Sequence, residues 1–567
     1  MVGQGVACSR RPLMVLLGMM MTAPEIGRAS VAHRPRGQRA ACRTTIAALM
    51  LTLVLCSPRV AAQPACGPPG LQQLAPVAWG FDLENTRLAK KSTISRGNIG
   101  RLTLKWVYGL ATDQPRSMPL VSGDTMFVGD GGRGIVALDR ESGCERWRAP
   151  LDSEVGSSIS FAREAGGKEV RLVVAMRDEG IFALNARDGE AGWFSKPGDN
   201  PVPLYSGSPL VHNNVVYVPG SSLEIALSLN PFYGCCETSG GMSAISVEDG
   251  AVLWHRRTIP GLPKVTGRRL LFIETHGPSG APVWGAPTLD RKRGLLFFGT
   301  GQNYSHPASA TSDAIFALNT SDGSVAWLRQ FTANDAYNLA CNAGGPNCPD
   351  PVGPDIDFGA PPVLVTLPGS RDLLIAGQKS GDVHAMDPQT GDVVWQRKLG
   401  RGGALGGIHW GMAAHSQKGI LVVPMSDLYA GDLTGVGDAR PGVHALDLET
   451  GRTLWSHPAS ARCPDRVCWG GFSAAISLSP ELVFAGTLDG MLHVLDLQTG
   501  ELLWSHDSWR NFDAINGVPT SGGAFDAHGP LLVDDLLIVS SGYGSFSQRP
   551  GNALLVFQIG AGESADE

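Results

Sequence analysis

Apolar and polar positions alternate along most of this chain, in short runs cut by glycine-rich turns, and that alternation predicts β-strands rather than helices. One phrase repeats. His444-Ala445-Leu446-Asp447-Leu448-Glu449-Thr450-Gly451-Arg452-Thr453-Leu454-Trp455 reads as an apolar strand, a tight turn and a second strand closing on tryptophan. It returns as Ala137-Leu138-Asp139 with Gly143 and Trp147, and as Ala183-Leu184-Asn185 with Gly189 and Trp193. Further copies run through Gly250 and Trp254, Gly323 and Trp327, Gly391 and Trp395, and Gly500 and Trp504. In all seven copies glycine stands four residues before tryptophan.

The ruler has a physical cause. Asp or Asn opens a turn by accepting hydrogen bonds from the backbone ahead of it, and glycine supplies the positive φ a hairpin needs. Tryptophan is large enough to cover the contact between neighbouring sheets while its N–H finds a carbonyl. The tryptophans lie 46, 61, 73, 68, 60 and 49 residues apart, room for about four short strands per unit, the size of a propeller blade. Trp106, in Leu102-Thr103-Leu104-Lys105-Trp106, precedes Trp147 by one blade length, and Ala553-Leu554-Leu555-Val556-Phe557 needs a partner strand. Pairing the two ends closes the ring and removes free edges. The expectation is an all-β, eight-bladed β-propeller over residues 63–560, with seven blades as the alternative and 561–567 a flexible tail.

Residues 1–62 read as a removed targeting segment. Arg34, Arg36, Arg39 and Arg43 precede a short apolar run from Thr44 to Cys56, and Val60-Ala61-Ala62 ends in small residues before Gln63. The run is too short for a permanent membrane anchor, and Leu55 is too bulky for a lipid-attachment motif at Cys56. An exported protein, periplasmic or secreted after cleavage near Ala62, is expected. Without residues 1–62, Lys+Arg falls from 46 to 38 and Asp+Glu from 52 to 51, a net charge near −13. No basic block is left to hold nucleic acid. Eight cysteines then remain, an even number. Cys341 with Cys348 and Cys463 with Cys468 look like loop staples of an oxidising compartment, and Cys66 would pair with Cys144 by elimination. Cys235-Cys236 reads either as a vicinal disulfide or as two separate thiols. No CxxCH occurs, so no covalent haem c is expected.

Between the repeats lie Ser221-Ser222-Leu223-Glu224, Val283-Trp284-Gly285-Ala286-Pro287-Thr288, Gly299-Thr300-Gly301-Gln302-Asn303-Tyr304, Ala376-Gly377-Gln378-Lys379-Ser380-Gly381, Gly406-Gly407-Ile408-His409-Trp410-Gly411 and Gly542-Tyr543-Gly544. In this order they resemble the quinoprotein alcohol dehydrogenases, which depend on pyrroloquinoline quinone, and most closely their polyvinyl-alcohol-dehydrogenase-like group. The resemblance implies a quinone in the central channel, Ca²⁺ as Lewis acid, an alcohol substrate and a separate electron acceptor such as a cytochrome c. Glu224 matches the carboxylate ligand of calcium, and Asn303 or its neighbour Gln302 the amide ligand. Trp284 matches the floor on which the quinone stacks, and Lys379 the cation that hydrogen-bonds its reactive carbonyl. Ser221, Ser222, His409, Trp410, Trp469 and Tyr543 complete the expected cofactor pocket. Taken alone, Trp284 is a core residue, Lys379 a turn lysine and Glu224 a solvated carboxylate.

Departures from the family accompany the match. Where the family has its general base, this chain carries Asn338, which takes no proton, so Asp335 is the substitute catalytic residue. The vicinal cysteines of methanol-oxidising relatives lie a blade earlier than Cys235-Cys236, and Arg116 stands where those relatives carry a carboxylate. His384, His444 and His493 share one repeat position and so spread around the ring rather than forming a metal site. Two rivals remain, a non-catalytic periplasmic scaffold of the outer-membrane assembly type and a degenerate propeller that binds quinone without turnover. The ordered set Glu224, Trp284, Asn303 and Lys379 argues against a scaffold.

Overall fold

Every repeat tryptophan from Trp147 to Trp455 is docked on the glycine of the next repeat, as a computed structural model of the protein shows. It describes residues 66–72, 79–163, 170–269, 272–427, 438–460, 470–546 and 548–560. Residues 1–62, the tail 561–567, the Cys463–Cys468 pair and Trp469 fall outside the described residues. A Cβ on Gly391 would lie 2.6 Å from Trp327, and on Gly451, 2.5 Å from Trp395. The indole N–H reaches a carbonyl of the same neighbouring blade, Trp254 to Thr320 at 3.1 Å and Trp395 to Leu448 at 3.1 Å. The glycines therefore do two jobs. They adopt the left-handed turn, φ +74° at Gly391 and +68° at Gly451, and they make a seat for the ring.

The turn is built as the sequence suggests. Asp387 accepts the amides of Gln389 at 2.7 Å and Thr390 at 3.2 Å, and Asp496 those of Gln498 and Thr499, both at 2.9 Å. A bulge falls at the same place in most copies, between Ala385 and Met386 and between Ala445 and Leu446.

Eight sheets follow around the ring, seven of four strands and one of five, so the fold is an eight-bladed propeller and the seven-bladed alternative is set aside. In chain order, seven blades occupy 120–149, 160–195, 203–257, 288–330, 363–398, 413–458 and 477–507. The remaining blade takes three strands from the C-terminus, Leu531–Val533, Leu536–Ser541 and Ala553–Ile559, and its outer strand, Leu102–Gly109, from the N-terminal side. Leu102 pairs with Ile559 and Gly109 with Ala553, which closes the ring. Inner strands are buried along their length, whereas outer strands such as Thr453–Pro458 alternate between half-buried and exposed.

Residues 83–87 cross the innermost strands of four successive blades. The carbonyls of Leu83, Glu84, Thr86 and Arg87 accept the amides of Leu289, Leu364, Ala414 and Leu478, at 2.8 to 2.9 Å. Arg87 is fully buried, and its guanidinium donates to the carbonyls of Trp79, Ile476 and His528. Burial without a carboxylate partner lowers its pKa to about 9.

Gly419 also has a left-handed φ, +68°, but nothing lies within 4 Å of a Cβ there. Gly419→Ala should therefore cost only the backbone term, about 1–2 kcal/mol. Gly391→Ala should add an overpacking cost of about 1–3 kcal/mol as Trp327 is pushed from its seat. Scanning calorimetry should give a distinctly lower Tm for Gly391→Ala, and equal values would remove the docking role from that contact.

A candidate active site at one end of the ring

Two positions recur in every blade at one end of the ring: the turn after the second strand, and the connector entering the first. The turns supply Arg177 after Val170–Met176, Gln302 after Leu295–Gly299, Lys379 after Asp372–Gly377 and Tyr543 after Leu536–Ser541. Ser221 comes from the end of the strand Val215–Ser222. The connectors supply Arg116, Trp284, Asp355, Asp357, His409 and Trp410. Together with Tyr304, Tyr337 and Leu339 these residues line a cavity of about 210 Å³.

The indole of Trp284 forms one wall. Its back is pressed on Gly359, where a Cβ would lie 1.8 Å from the ring, and its N–H donates to Asp357 at 2.9 Å. Trp410 and His409 meet Trp284 edge-on, with centroids 5.3 and 5.5 Å away. Lys379 Nζ lies 5.4 Å from the Trp284 ring centre, 3.1 Å from Asp357 and 3.4 Å from Asp355. Burial opposes the charge of Lys379, but Asp355 and Asp357 outweigh it and hold its pKa above the ordinary lysine range. Asp355 is pushed well above the ordinary carboxylate range, first by burial and then by the charge of Asp357, against the pull of Lys379. His409 is held well below its usual pKa by burial and by Lys379, so it is neutral, and its Nδ1 lies 3.1 Å from Ser473 Oγ.

Of the residues read from the sequence, Trp284, Lys379, Ser221, His409, Trp410 and Tyr543 line the cavity. Ser222 does not; its hydroxyl accepts hydrogen bonds from Thr238 and the Glu224 amide. Asp335 also stands behind the wall. Its carboxylate accepts the amides of Asp355 at 3.1 Å and Ile356 at 3.0 Å, and burial raises its pKa to about 6. It thereby fixes Asp355, whose backbone sits at φ +55°. Asn338 is structural as well, donating to the carbonyls of Tyr304 and Asn347. The acids facing the cavity are Asp355 and Asp357, which the sequence reading missed. Alternate residues of an extended connector share a side, so Asp355-Ile356-Asp357 after a proline was the available signal.

The two residues assigned to calcium are turned elsewhere. Glu224 is buried, and its carboxylate accepts from the Tyr233 hydroxyl, the amides of Glu237 and Thr238, and the Thr238 hydroxyl. Asn303 belongs to the strand Asn303–Ser305; its amide donates to the Ser279 carbonyl and its oxygen accepts from Ser309. Its neighbour Gln302 is the one that faces the cavity, with Oε1 buried and unpartnered. Among the described residues no group of three or more His, Cys, Asp or Glu side chains is arranged to hold a metal ion. Glu224 and Asn303 therefore do not offer the open oxygen set calcium needs. A flat anionic quinone fits better, since the cavity offers an indole face and an ammonium donor.

Cys235 and Cys236 are disulfide-bonded to each other and buried against Tyr304 and Ile225, which place them behind the cavity wall rather than on it. Cys66–Cys144 and Cys341–Cys348 are also bonded. Behind the acids, Asp313 is fully buried with neither oxygen hydrogen-bonded. Burial, then the charges of Asp335 and Asp357, push it well above the ordinary range, so it is neutral.

This cavity, at the end of an eight-bladed ring, agrees with what comparison with known proteins finds. The sequence model of the "glucose/ethanol/alcohol dehydrogenase, beta-propeller domain" matches residues 77–347, and that of the "outer membrane protein assembly factor BamB" matches 404–560. A polyvinylalcohol dehydrogenase of Pseudomonas sp is 31% identical over 88% of this chain and 81% of its own length. One from Sphingopyxis sp. (strain 113P3) is 31% identical over 85% and 76%. Among solved structures, the quinohemoprotein alcohol dehydrogenase ADHIIG from Pseudomonas putida HK5 superposes with a TM-score of 0.64 at 18% identity, covering 86% of this chain and 80% of that one. A europium-containing methanol dehydrogenase does so at 0.62 and 17% identity, over 85% and 98%. The chain belongs to the pyrroloquinoline-quinone-dependent alcohol dehydrogenases, a family of alcohol-oxidising oxidoreductases. Within it, the polyvinyl-alcohol-dehydrogenase-like group is the one it falls in.

Gly359→Ala should drive the Trp284 ring off its seat and spoil the stacking face. Titration with the quinone, followed by tryptophan fluorescence, should show affinity weakened by at least about tenfold. Parent-like affinity would take the stacking role away from Trp284.

Proposed function

We propose that this protein is an exported, pyrroloquinoline-quinone-dependent dehydrogenase of secondary alcohols, polyvinyl alcohol among them, that passes electrons to a separate acceptor such as a cytochrome c. The observation that carries the reading is Asp355 beside Lys379 at the edge of the Trp284 face. The polymeric substrate is supported by the two relatives named for it, each matched over most of its length. Export is supported by the leader-like residues 1–62 and by the disulfides, which suit an oxidising compartment.

When bound, the quinone supplies the carbonyl that accepts a hydride. The chain's own residues do the rest. Trp284 and Trp410 give it apolar faces and exclude water. Lys379 holds its proton and donates toward the acceptor oxygen as negative charge develops there. Asp355 takes the hydroxyl proton of the alcohol as the hydride departs. Asp357 is engaged by Trp284, Lys379 and the Gln302 amide, which leaves it the positioning role. No step is routed through calcium, because Glu224 and Asn303 are engaged with other partners. A pure scaffold gives no reason for a buried Lys379 flanked by two acids, and the assembly-factor match covers 404–560, outside that cluster.

Asp355→Asn should lower turnover by about 10² to 10⁴ in a dye-linked assay, with quinone affinity kept. Asp335→Asn should lose less, since it removes a brace and not the proton acceptor. Because the base must be ionised, the parent's rate should rise with pH through the Asp355 pKa, above the ordinary carboxylate range. If Asp335→Asn alone abolishes turnover, the assignment to Asp355 is wrong; a parent inactive with quinone supplied points to the degenerate binder.

A further inference from the structure

Beside the cavity mouth, one lobe holds apolar rings in open water. A hairpin of Lys264–Arg269 and Ile273–Gly277 stands on the connector between the third and fourth blades. Near its tip Arg269 is half-buried and turned inward. Its guanidinium donates to the carbonyls of Pro231 at 3.4 Å and Tyr233 at 3.0 Å, and to the side-chain oxygen of Asn347. Phe232, between those two carbonyls, is 69% exposed. Phe272, next to the Ile273 that pairs with Arg269, is 73% exposed. The Asn347 amide also holds the carbonyls of Ser228 and Asn230, both at 2.9 Å, and Leu229 between them is exposed as well. Ile225, on the same segment as Leu229, and Leu339, at the start of the loop that carries Asn347, line the cavity. The exposed side chains thus belong to the loops that build its mouth. A single exposed phenylalanine is ordinary, but two flanking one arginine beside a cavity mark a contact surface.

Size and charge narrow down what covers them. The cavity holds about 210 Å³, less than the roughly 300 Å³ at which pockets for one drug-sized ligand begin. A polymeric alcohol cannot enter it whole; one carbinol unit reaches in, and the rest of the chain lies across the surface outside. Charges beside the rings are answered locally, Arg268 by Glu274 at 2.6 Å and Glu237 by the His276 ring at 3.2 Å, so no single-sign field marks the lobe for an ionic partner. The chain is acidic once residues 1–62 are set aside, which disfavours an anionic lipid surface. An uncharged chain of alternating methylene and carbinol groups fits: its methylenes cover the rings while its hydroxyls stay in water.

We propose that Leu229, Phe232 and Phe272 form a docking strip outside the cavity for a neutral, polyhydroxylated polymer, holding the chain while one of its secondary alcohols reaches Asp355 and Lys379. The inference rests on the functional reading above and goes further by saying where the rest of the polymer lies. The strip takes no part in bond making. It adds binding that is equal in the ground and transition states, so it lowers KM for long substrates and leaves kcat alone.

The test compares the parent with the double variant Phe232→Ser, Phe272→Ser, whose Tm should match the parent's because both rings are exposed. Electrophoresis of the full-length protein through gels containing polyvinyl alcohol reads binding without turnover. The parent should be retarded, and the double variant should need at least about tenfold more polymer for the same retardation. With quinone supplied, KM for polyvinyl alcohol should rise by a similar factor, while kcat and the kinetics of 2,4-pentanediol stay at parent values. A double variant retarded as strongly as the parent overturns the proposal and leaves the functional reading intact. So does a parent that oxidises 2,4-pentanediol but is not retarded by the polymer. If light scattering shows a dimeric parent and a monomeric double variant with unchanged polymer retardation, the rings face a second copy of the chain and the proposal is overturned. A quinone-supplied parent that oxidises neither alcohol overturns the functional reading and this one with it.

Discussion

The contact between one blade's tryptophan and the next blade's glycine is the constraint on which the rest of the structure depends. A twisted four-stranded sheet buries one face only by packing on a neighbour, and the neighbour needs another in turn. The indole fixes how far apart and at what rotation two sheets sit, because it touches a backbone that lacks a side chain. Repeated from blade to blade, with the indole N–H of Trp193, Trp254, Trp327, Trp395 and Trp455 on a carbonyl of the next, this makes closure a matter of counting. The last step is made by strands from opposite ends of the chain, Leu102–Gly109 on Ala553–Ile559. No sheet edge then remains as a pairing template between those two strands.

A closed ring with a repeated blade also explains where the chemistry sits. The loops after each second strand and before each first strand converge on one end of the axis, while the hairpin turns with the Asp/Asn and Gly lie at the other end of the outer strands. The backbone of residues 83–87 crosses the innermost strands, and Trp79, just before that segment, has its ring centre 6.2 Å from that of Trp410. The cavity thus has a packed floor and takes its lining from six or more blades, each contributing a side chain or two. Such a site is rigid because every contributor is held by its own sheet.

This division of labour decides what could be read in the sequence. Blades were legible because the phrase is local, short and repeated, so Gly391 and Trp395 announce themselves together. Trp284, Lys379, His409, Trp410 and Tyr543 were legible as members of loops that carry motifs. Spacing identifies a loop but not the direction of its side chains, and neighbours in an extended chain point to opposite sides. Asn303 pairs in a strand and turns outward, so Gln302 faces in. Glu224 opens a short helical turn, and its carboxylate binds the backbone of 237–238 instead of the cavity. Arg177 has no local signature, since a turn arginine is ordinary until a second guanidinium is found across from it.

The place of Asp355 on the cavity wall has a further cause in chain length. Between Asp335 and Asp355 the chain makes an excursion stapled by Cys341–Cys348 and carrying the 3-10 turn Leu339–Ala343. Tyr337 and Leu339 from its start line the cavity mouth, and Asn338 pins it by hydrogen bonds to Tyr304 and Asn347. The chain then returns, and Asp335 at the departure point accepts the amides of Asp355 and Ile356 at the point of return. A carboxylate therefore stands at each end of the loop, in contact through the backbone of one. The acid nearer the repeat phrase became the brace, and the acid after the loop came to face the cavity. A local motif read from Trp327 onward stops at Asp335 and Asn338, because nothing in the intervening residues says that the loop closes on itself. The geometry of that closure is what holds a buried aspartate at a left-handed φ beside Lys379.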